Sequence, residues 1–306
     1  MKSKKLLFVL GAGASTTYGF PAGKMLVRQI VDADIVAVFK NMSLDLGITD
    51  DEFKRFQEDL RLADLSSIDA FLENNSKYIK VGKVVIAYFL GRFESNEYLY
   101  QSERDDNWYQ YLVDKMLRNY AFPEIEKNNI SFISYNYDRS LEFYLYNALK
   151  RSNEKISEDE CIEKMTKFPI LHLHGSLGLP KYSAKSKGKP YVPELTASQL
   201  LAAANSIHII SEEVEKYVEF RQAHQMVAEA DRIIFLGFGY HPTNVHRLKI
   251  ADNLKPDADL WGTAYGLTPS EKFFLVLDQF RHYRNINIDA STCTDLLSNH
   301  VDLLLG

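Results

Sequence analysis

Cysteine is scarce in this sequence. Cys161 and Cys293 are the only two thiols in 306 residues, and they stand far apart in the chain. This spacing excludes a disulfide framework and a Cys-x-x-Cys zinc site. The eight histidines form no His-Glu-x-x-His motif, so we expect no metal site. Sparse cysteine usage is typical of a reducing compartment, and we expect a cytoplasmic protein.

Long apolar runs and an excess of positive charge are also missing. No segment approaches the roughly 18 uninterrupted apolar residues of a membrane span, so no membrane partner is expected. The formal net charge of −5 argues against general nucleic-acid binding, and any nucleic acid would act only indirectly. With 46% hydrophobic residues, the chain can form one large domain with insertions or two small ones. Its partners are expected to be small molecules or proteins.

The first apolar run of the sequence ends in a pair of glycines. Leu6–Leu10 is continuously apolar, as in a parallel strand that is covered on both faces. Gly11 and Gly13 then allow positive φ and let backbone N–H groups approach a phosphate. The stretch therefore predicts a site for a dinucleotide pyrophosphate. Two other interpretations are a plain tight turn and a signal peptide, although five apolar residues fall short of the roughly 7 to 15 in a signal peptide's hydrophobic region.

The residues after these glycines differ from the dinucleotide fingerprint of dehydrogenases. Thr16 stands where that fingerprint has its third glycine. Gly19 and Pro21 would interrupt any helix that began directly after the turn. We therefore expect a loop over the ligand at 16–22, followed by a helix at 23–39.

A helical pattern occupies the next part of the chain. Phe53, Phe56 and Leu60 share one face of a helix that begins after Thr49, and further helices are predicted at 68–78, 81–93 and 108–120. We expect a single domain with two insertions. The predicted parts are a Rossmann-like core at about 1–40, 128–178 and 229–306, a helical insertion at about 41–127, and a second helical and loop insertion at about 179–228.

Three more strand-like runs end in polar or glycine-rich motifs. Residues 130–134 lead into Tyr135-Asn136-Tyr137-Asp138, 170–173 into His174-Gly175-Ser176, and 232–236 into Gly237-Phe238-Gly239, and two last strands are predicted at 260–265 and 286–290. Strands that alternate with helices indicate an α/β fold, here a Rossmann-like doubly wound parallel sheet with an inserted helical subdomain. Ligands of such sheets bind beyond the carboxyl ends of the strands, where all four motifs fall. Taken singly, Asn136 could be a turn residue, His174 a core histidine and Gly237 part of a plain turn.

A lysine-rich segment follows the third strand. Lys181, Lys185, Lys187 and Lys189 stand among Ser, Gly and Pro, which predicts an exposed loop. The sequence leaves open whether these lysines are merely solvated or contact an anionic ligand or partner. Helices are expected after this loop at 197–204, 212–228 and 270–283.

In identity and order, the motifs resemble the sirtuin family, and most closely the sirtuin-like branch found in bacterial antiphage defence proteins. The stretches that carry the resemblance are 11–15, 19–21, 134–138, 174–176 and 237–239, and 66–72 also resembles a stretch common in that branch. The resemblance implies NAD⁺ as the substrate. It implies His174 and Asn136 as catalytic residues. Carried over position by position, the cofactor-binding residues are Gly11, Ala12, Gly13, Ser15, Phe20, Pro21, Asp138, Gly237, Phe238 and Gly239.

The chain also departs from sirtuin deacylases. It lacks their four-cysteine zinc ribbon, and Ala22-Gly23-Lys24 follows Pro21 where those enzymes carry Asp-Phe-Arg. The acyl-lysine groove is therefore in doubt, and the resemblance implies an NAD⁺ hydrolase that yields nicotinamide and ADP-ribose or cyclic ADP-ribose, depleting NAD⁺ in antiphage defence by abortive infection. The alternatives are an NAD⁺-dependent protein deacylase and a non-catalytic module that senses NAD⁺ or an ADP-ribose derivative.

The residue types suit glycosidic cleavage of NAD⁺. Nicotinamide leaves ribose C1′ as a neutral molecule, so no acid is needed. A histidine with an ordinary pKa of about 6.5 can take a proton from water or a ribose hydroxyl, and the Asn136 amide can orient that water. A constitutively active enzyme would drain its own cell. We therefore expect a homo-oligomer or a second defence-system protein, such as an ATPase or sensor, with the helices at 44–122 regulating access to the crevice.

Overall fold

The computed structural model describes residues 4–101, 104–180, 189–209, 217–280 and 285–304. Its strands are β1 (Leu6–Leu10), β2 (Ile130–Ser134), β3 (Ile170–His172), β4 (Arg232–Leu236), β5 (Asp259–Thr263) and β6 (Ile286–Asp289). They form one parallel sheet in the order β3-β2-β1-β4-β5-β6. This is the strand order of doubly wound dinucleotide-binding folds, with its reversal between β1 and β4. The predicted Rossmann-like α/β fold is confirmed.

The strand register places the predicted motifs at one edge of the sheet. Leu10 at the end of β1 pairs with Ser134 at the end of β2 and with Leu236 at the end of β4. Ser134 in turn pairs with His172 at the end of β3. The loops that follow these four strands therefore begin level with one another, at the edge where such folds bind ligands.

Helices surround the sheet. Before β2 they are α1 (Gly13–Thr16), α2 (Gly23–Asp32), α3 (Ile35–Phe39), α4 (Ser43–Leu46), α5 (Asp50–Ala63), α6 (Ile68–Asn74), α7 (Ile79–Gly91), α8 (Asn96–Leu99) and α9 (Trp108–Asn119). Between β2 and β4 they are α10 (Ser140–Arg151), α11 (Glu158–Met165), α12 (Ala197–Asn205) and α13 (Val218–Glu229), and after β4 they are α14 (Pro242–Arg247), α15 (Ile250–Asn253), α16 (Pro269–Phe280) and α17 (Cys293–Asn299). No helix in the described part of the chain has both the length and the apolar character to cross a bilayer.

The predicted single helix at 23–39 is wrong. Helix α2 ends at Asp32, Ala33 is extended, and α3 begins at Ile35. Asp34 accounts for the break, because its side chain accepts a hydrogen bond from the N–H of Ala37 and so caps a new helix. The predicted helix at 68–78 is likewise divided, into α6 and a 3₁₀ turn at Ser76–Tyr78. Residues 181–188 of the predicted lysine-rich loop, and the ends of two predicted helices at 212–216 and 281–283, lie outside the described residues.

The sheet separates two hydrophobic clusters. Leu6, Phe8 and Leu10 of β1 face the helices of residues 41–127 and share one cluster with them. Leu7 and Val9 face the opposite cluster, which includes residues of α13 to α16. The aromatic side chains at 53, 56, 108 and 109 are buried in the first of these clusters. The helices inserted between α3 and β2 thus cover one face of the sheet directly.

Candidate functional site

The glycine turn after β1 packs on the turn after β4. The N–H of Gly13 donates to the Gly237 carbonyl at 2.9 Å, and the N–H of Gly11 donates to the Leu236 carbonyl at 3.0 Å. A Cβ at Gly11 would lie 2.6 Å from the Gly237 oxygen, and one at Gly13 would lie 2.8 Å from it. Gly237 itself has a φ of +55°. Glycine is therefore required at all three positions by the close approach of two backbones at the switch point of the sheet.

This packing also occupies N–H groups that were predicted to hold a pyrophosphate. Besides Gly11 and Gly13, the N–H groups of Ala14 and Ser15 donate to backbone carbonyls within the turn. A phosphate at this turn would compete with the Gly237 carbonyl for the N–H of Gly13.

A large cavity beside the turn lies toward β4 and β5. It has a volume of 720 Å³, within the roughly 300–1,000 Å³ of small-molecule sites. Its lining includes five predicted cofactor-binding residues: Ala12, Gly13, Gly237, Phe238 and Gly239. Thr263 and Ser291, which the motifs did not indicate, also line it. The Ser291 hydroxyl is buried and has no hydrogen-bond partner among the described residues.

A smaller cavity of 90 Å³ also adjoins the glycine turn. It is lined by the remaining predicted residues except Gly11 and His174, namely Ser15, Phe20, Pro21, Asn136 and Asp138, together with Ala12. Ala12 and Gly23 line both cavities. The two cavities are therefore neighbours that share part of their walls. Within the described residues, no group of three or more His, Cys, Asp or Glu side chains is placed to hold a metal ion.

Asn136 is held in the wall of the smaller cavity by contacts to the glycine turn. Its Nδ2 donates to the Gly11 carbonyl at 2.9 Å and to the Ser15 hydroxyl at 3.1 Å. Its backbone N–H donates to the Ser134 hydroxyl at 3.1 Å. These bonds fix the orientation of the Asn136 amide. A residue that directs a ribose hydroxyl or a water needs such a fixed orientation.

Asn136 contacts His172, which in turn pairs with Glu142, and both of these side chains are largely buried. His172 Nδ1 lies 2.7 Å from the backbone carbonyl oxygen of Asn136. The Nε2 atom of His172 lies 2.6 Å from Glu142 Oε1. Burial acts to lower the pKa of His172, but the charge of Glu142 and the two hydrogen bonds outweigh it and raise the pKa above its ordinary value. Neither residue was predicted from the sequence. A histidine inside an apolar strand was the available signal, because buried polar side chains need partners.

Asp138 is buried among hydroxyl groups. Its Oδ1 accepts hydrogen bonds from the N–H of Ser140, at 3.1 Å, and from the Ser140 hydroxyl. Ser140 Oγ also lies 2.7 Å from the hydroxyl of Tyr109. Burial raises the pKa of Asp138, although the hydrogen bonds from Ser140 and Ser15 act to lower it. Tyr109 of α9 thus contacts the residue that hydrogen-bonds to Asp138.

His174 does not line either cavity. Its ring packs on Tyr135 and Tyr137, with centroids 5.7 and 6.2 Å away, and these two tyrosines do line the smaller cavity. The side chain is 6% exposed, and its Nδ1 has no hydrogen-bond partner among the described residues. Burial lowers the pKa of His174 below its ordinary value, so the ring is neutral at pH 7 and can accept a proton. The structure brings Asn136 and Asp138 together at the cavity and places His174 one layer behind them.

The turn after His174 is held by a neighbouring segment. The His174 carbonyl accepts a hydrogen bond from the N–H of His208 at 2.8 Å. Gly175 has a φ of +71°, and a Cβ there would lie 1.9 Å from the Ser206 carbonyl oxygen. A glycine after the histidine is therefore needed for this turn to fit.

No family model and no curated protein matches the sequence. Among solved structures, the chain is similar to a Sir2 homologue in complex with NAD, with 14% identity and a TM-score of 0.41, over 99% of this chain and 90% of that chain. It is also similar to a structure solved to explain sirtuin substrate affinity, with 12% identity and a TM-score of 0.39, over 98% of this chain and 93% of that chain. Similarities this distant assign no activity to the chain.

Proposed function

We propose that this chain binds NAD⁺ across the β1/β4 switch point and cleaves its nicotinamide glycosidic bond, releasing nicotinamide with either ADP-ribose, by hydrolysis, or cyclic ADP-ribose, by cyclisation. The observation that carries the proposal is the pair of cavities at the glycine turn. They share Ala12 and Gly23 in their linings, so one elongated dinucleotide lying over the turn reaches both.

The larger cavity suits the ADP-ribose half of NAD⁺. Gly13 and Gly237 lie at the carboxyl ends of β1 and β4, where doubly wound sheets bind dinucleotides. The buried Ser291 hydroxyl offers a hydrogen bond to a ribose or adenine group. Displacement of the Gly237 carbonyl from the Gly13 N–H would add a backbone donor for a phosphate oxygen.

The nicotinamide ribose would enter at the smaller cavity. Phe20 and Pro21 form an apolar part of its wall, while Asn136 and Asp138 supply polar atoms. The oriented Asn136 amide aligns the attacking water, and the neutral ring of His174 accepts its proton. His174 packs on two tyrosines of the cavity wall, so we expect the site to tighten around the substrate until the ribose and this ring meet, as catalytic sites commonly do.

The proposal extends to the biological role that the motif resemblance implies. The chain would deplete cytoplasmic NAD⁺ in antiphage defence, as a homo-oligomer or under the control of a second protein such as an ATPase or sensor. The burial of His174 supports control by an oligomer or a second protein. A buried base suits an enzyme that stays inactive until such a contact opens its site.

The test is nicotinamide release from NAD⁺ by the purified chain, alone and with the proteins encoded beside it. We expect release by the wild type and its loss in His174→Ala and Asn136→Ala. The matched controls are the exposed His246 and Asn96, whose alanine variants should keep full activity. Full activity in both site variants would remove the proposal. Release that requires an acylated peptide would identify a deacylase instead, and NAD⁺ binding without turnover would identify a sensor.

A further inference from the structure

The helical insertion contributes a carboxylate to the smaller cavity. Asp69, in the first turn of α6, lines that cavity and accepts a hydrogen bond from the hydroxyl of Tyr137. Tyr137 follows Asn136 directly and is itself part of the cavity wall. A charged group from outside the strand-end motifs thus lies beside the residues that those motifs bring together.

Tyr137 connects this carboxylate to His174. The two rings meet edge to face, at 77° and with centroids 6.2 Å apart. The tyrosine is 6% exposed. The Tyr137 hydroxyl is bonded to Asp69, and the Tyr137 ring contacts the ring of His174. Tyr137 is therefore fixed at its hydroxyl end by a residue of α6.

The charged groups around His174 come from several elements. One turn after Asp69, Glu73 of α6 forms an ion pair with Arg247 of α14 at 3.2 Å. The groups that face His174 are Asp69, Glu73, Arg247, the backbone of His208 and the rings of Tyr135 and Tyr137. Burial is the largest influence and lowers the pKa of the histidine, Asp69 is the largest influence that raises it, and Arg247 lowers it.

We propose that Asp69 is a positioning residue for the hydrolysis of NAD⁺: it holds Tyr137 against His174 and supplies the counter-charge when His174 takes up a proton. This inference rests on the proposed function. In the step, the water oxygen forms a bond to ribose C1′, the bond from C1′ to the nicotinamide nitrogen breaks, and its electron pair leaves with neutral nicotinamide. One water proton passes to His174, and the Asp69 carboxylate balances the imidazolium until the proton returns to solvent.

The test measures nicotinamide release by Asp69→Asn over a range of pH. We expect kcat to fall at least about tenfold with little change in KM, because orientation of the base is lost while substrate contacts remain. The removal of a negative charge lowers the pKa of His174, so the acid limb of the kcat profile should move to lower pH. Asp69→Glu should recover part of the rate. Tyr137→Phe should lower kcat without moving the limb, because the charge stays in place.

Asp159→Asn is the matched control, since Asp159 is also the second residue of a helix, α11, and is exposed. It should leave kcat and the pH profile unchanged, which separates the site effect from a lost helix-dipole contact. Wild-type kcat and pH profile in Asp69→Asn would overturn the inference alone. A higher KM with an unchanged kcat in Asp69→Asn would also overturn the inference, because it would indicate a direct contact between Asp69 and the substrate. A wild type that releases no nicotinamide, either alone or with the proteins encoded beside it, would overturn the proposed function and the inference with it.

Discussion

The side-chain amide of Asn136 donates a hydrogen bond to the carbonyl oxygen of Gly11, 125 residues earlier in the chain. This bond joins the loop after β2 to the glycine turn after β1 at the edge of the sheet where the two cavities meet. The residue proposed to direct the nucleophile is therefore part of the structure that shapes the dinucleotide site.

The first prediction concerns this bond. Asn136→Ala should lower the free energy of unfolding by about 1–3 kcal/mol, because it leaves a carbonyl and a hydroxyl without their donor. Urea denaturation measures the change, with the exposed Asn96→Ala as the control. Wild-type stability in Asn136→Ala would show that the bond does not hold the two loops together.

The second prediction compares two glycines of one loop. Gly237→Ala should destabilise the protein by about 2–4 kcal/mol, because of its positive φ and the overlap of a new Cβ with the glycine turn. That Cβ would lie 1.9 Å from the nitrogen of Ala14, whereas a Cβ at Gly239 meets nothing within 4 Å. Gly239→Ala is thus the matched control and should be nearly neutral in thermal unfolding. Equal effects of the two substitutions would contradict the packing described for the switch point.

The third prediction concerns the pair of His172 and Glu142. The pKa of His172 is raised in the folded protein, so its contribution to stability is present below its ordinary pKa of about 6.5 and is lost as pH rises through the folded value. Glu142→Gln removes the main group that raises this pKa. The variant should therefore lack the decline in stability above neutral pH that His172 causes in the wild type. Denaturation midpoints between about pH 6 and 9 measure the difference, and the exposed Glu154→Gln should behave as the wild type does. Parallel wild-type and Glu142→Gln curves would exclude the coupling.

The fourth prediction concerns a buried ion cluster next to the site. Glu94 is fully buried and contacts both Arg139 and Lys189, at 2.5 and 2.6 Å. Arg139 also donates to carbonyls of the segment that follows β3. Glu94→Gln should cost about 3–5 kcal/mol in denaturant unfolding, since it leaves two buried cations without their counter-charge.

An exposed ion pair provides the comparison for Glu94. Glu58 contacts Arg61 at 2.6 Å on the surface of α5. Solvent screens such pairs, so Glu58→Gln should leave the denaturation midpoint unchanged within error. A similarly small effect of Glu94→Gln would show that the buried cluster does not stabilise the fold.

The sequence alone determined the architecture and the location of the candidate site. Short apolar runs such as Leu6–Leu10 predict buried parallel strands, and parallel strands carry the residues that follow them to one edge. That is why residues as distant as Gly13, Asn136 and Gly237 were correctly expected to converge. A helix start can be predicted where it depends on neighbouring residues alone, as in the capping box of Thr49 and Glu52 that begins α5.

Only the tertiary structure decided how these residues are used. Side-chain partners and the directions of backbone N–H groups depend on packing between segments far apart in sequence, which periodicity does not encode. The Gly13 N–H is bonded to the Gly237 carbonyl, His174 lies behind two tyrosines, and Asp69 of the insertion lines the cavity beside Asn136. Each arrangement follows from the need to fill space and satisfy polar groups where the loops, the insertion and the sheet edge meet.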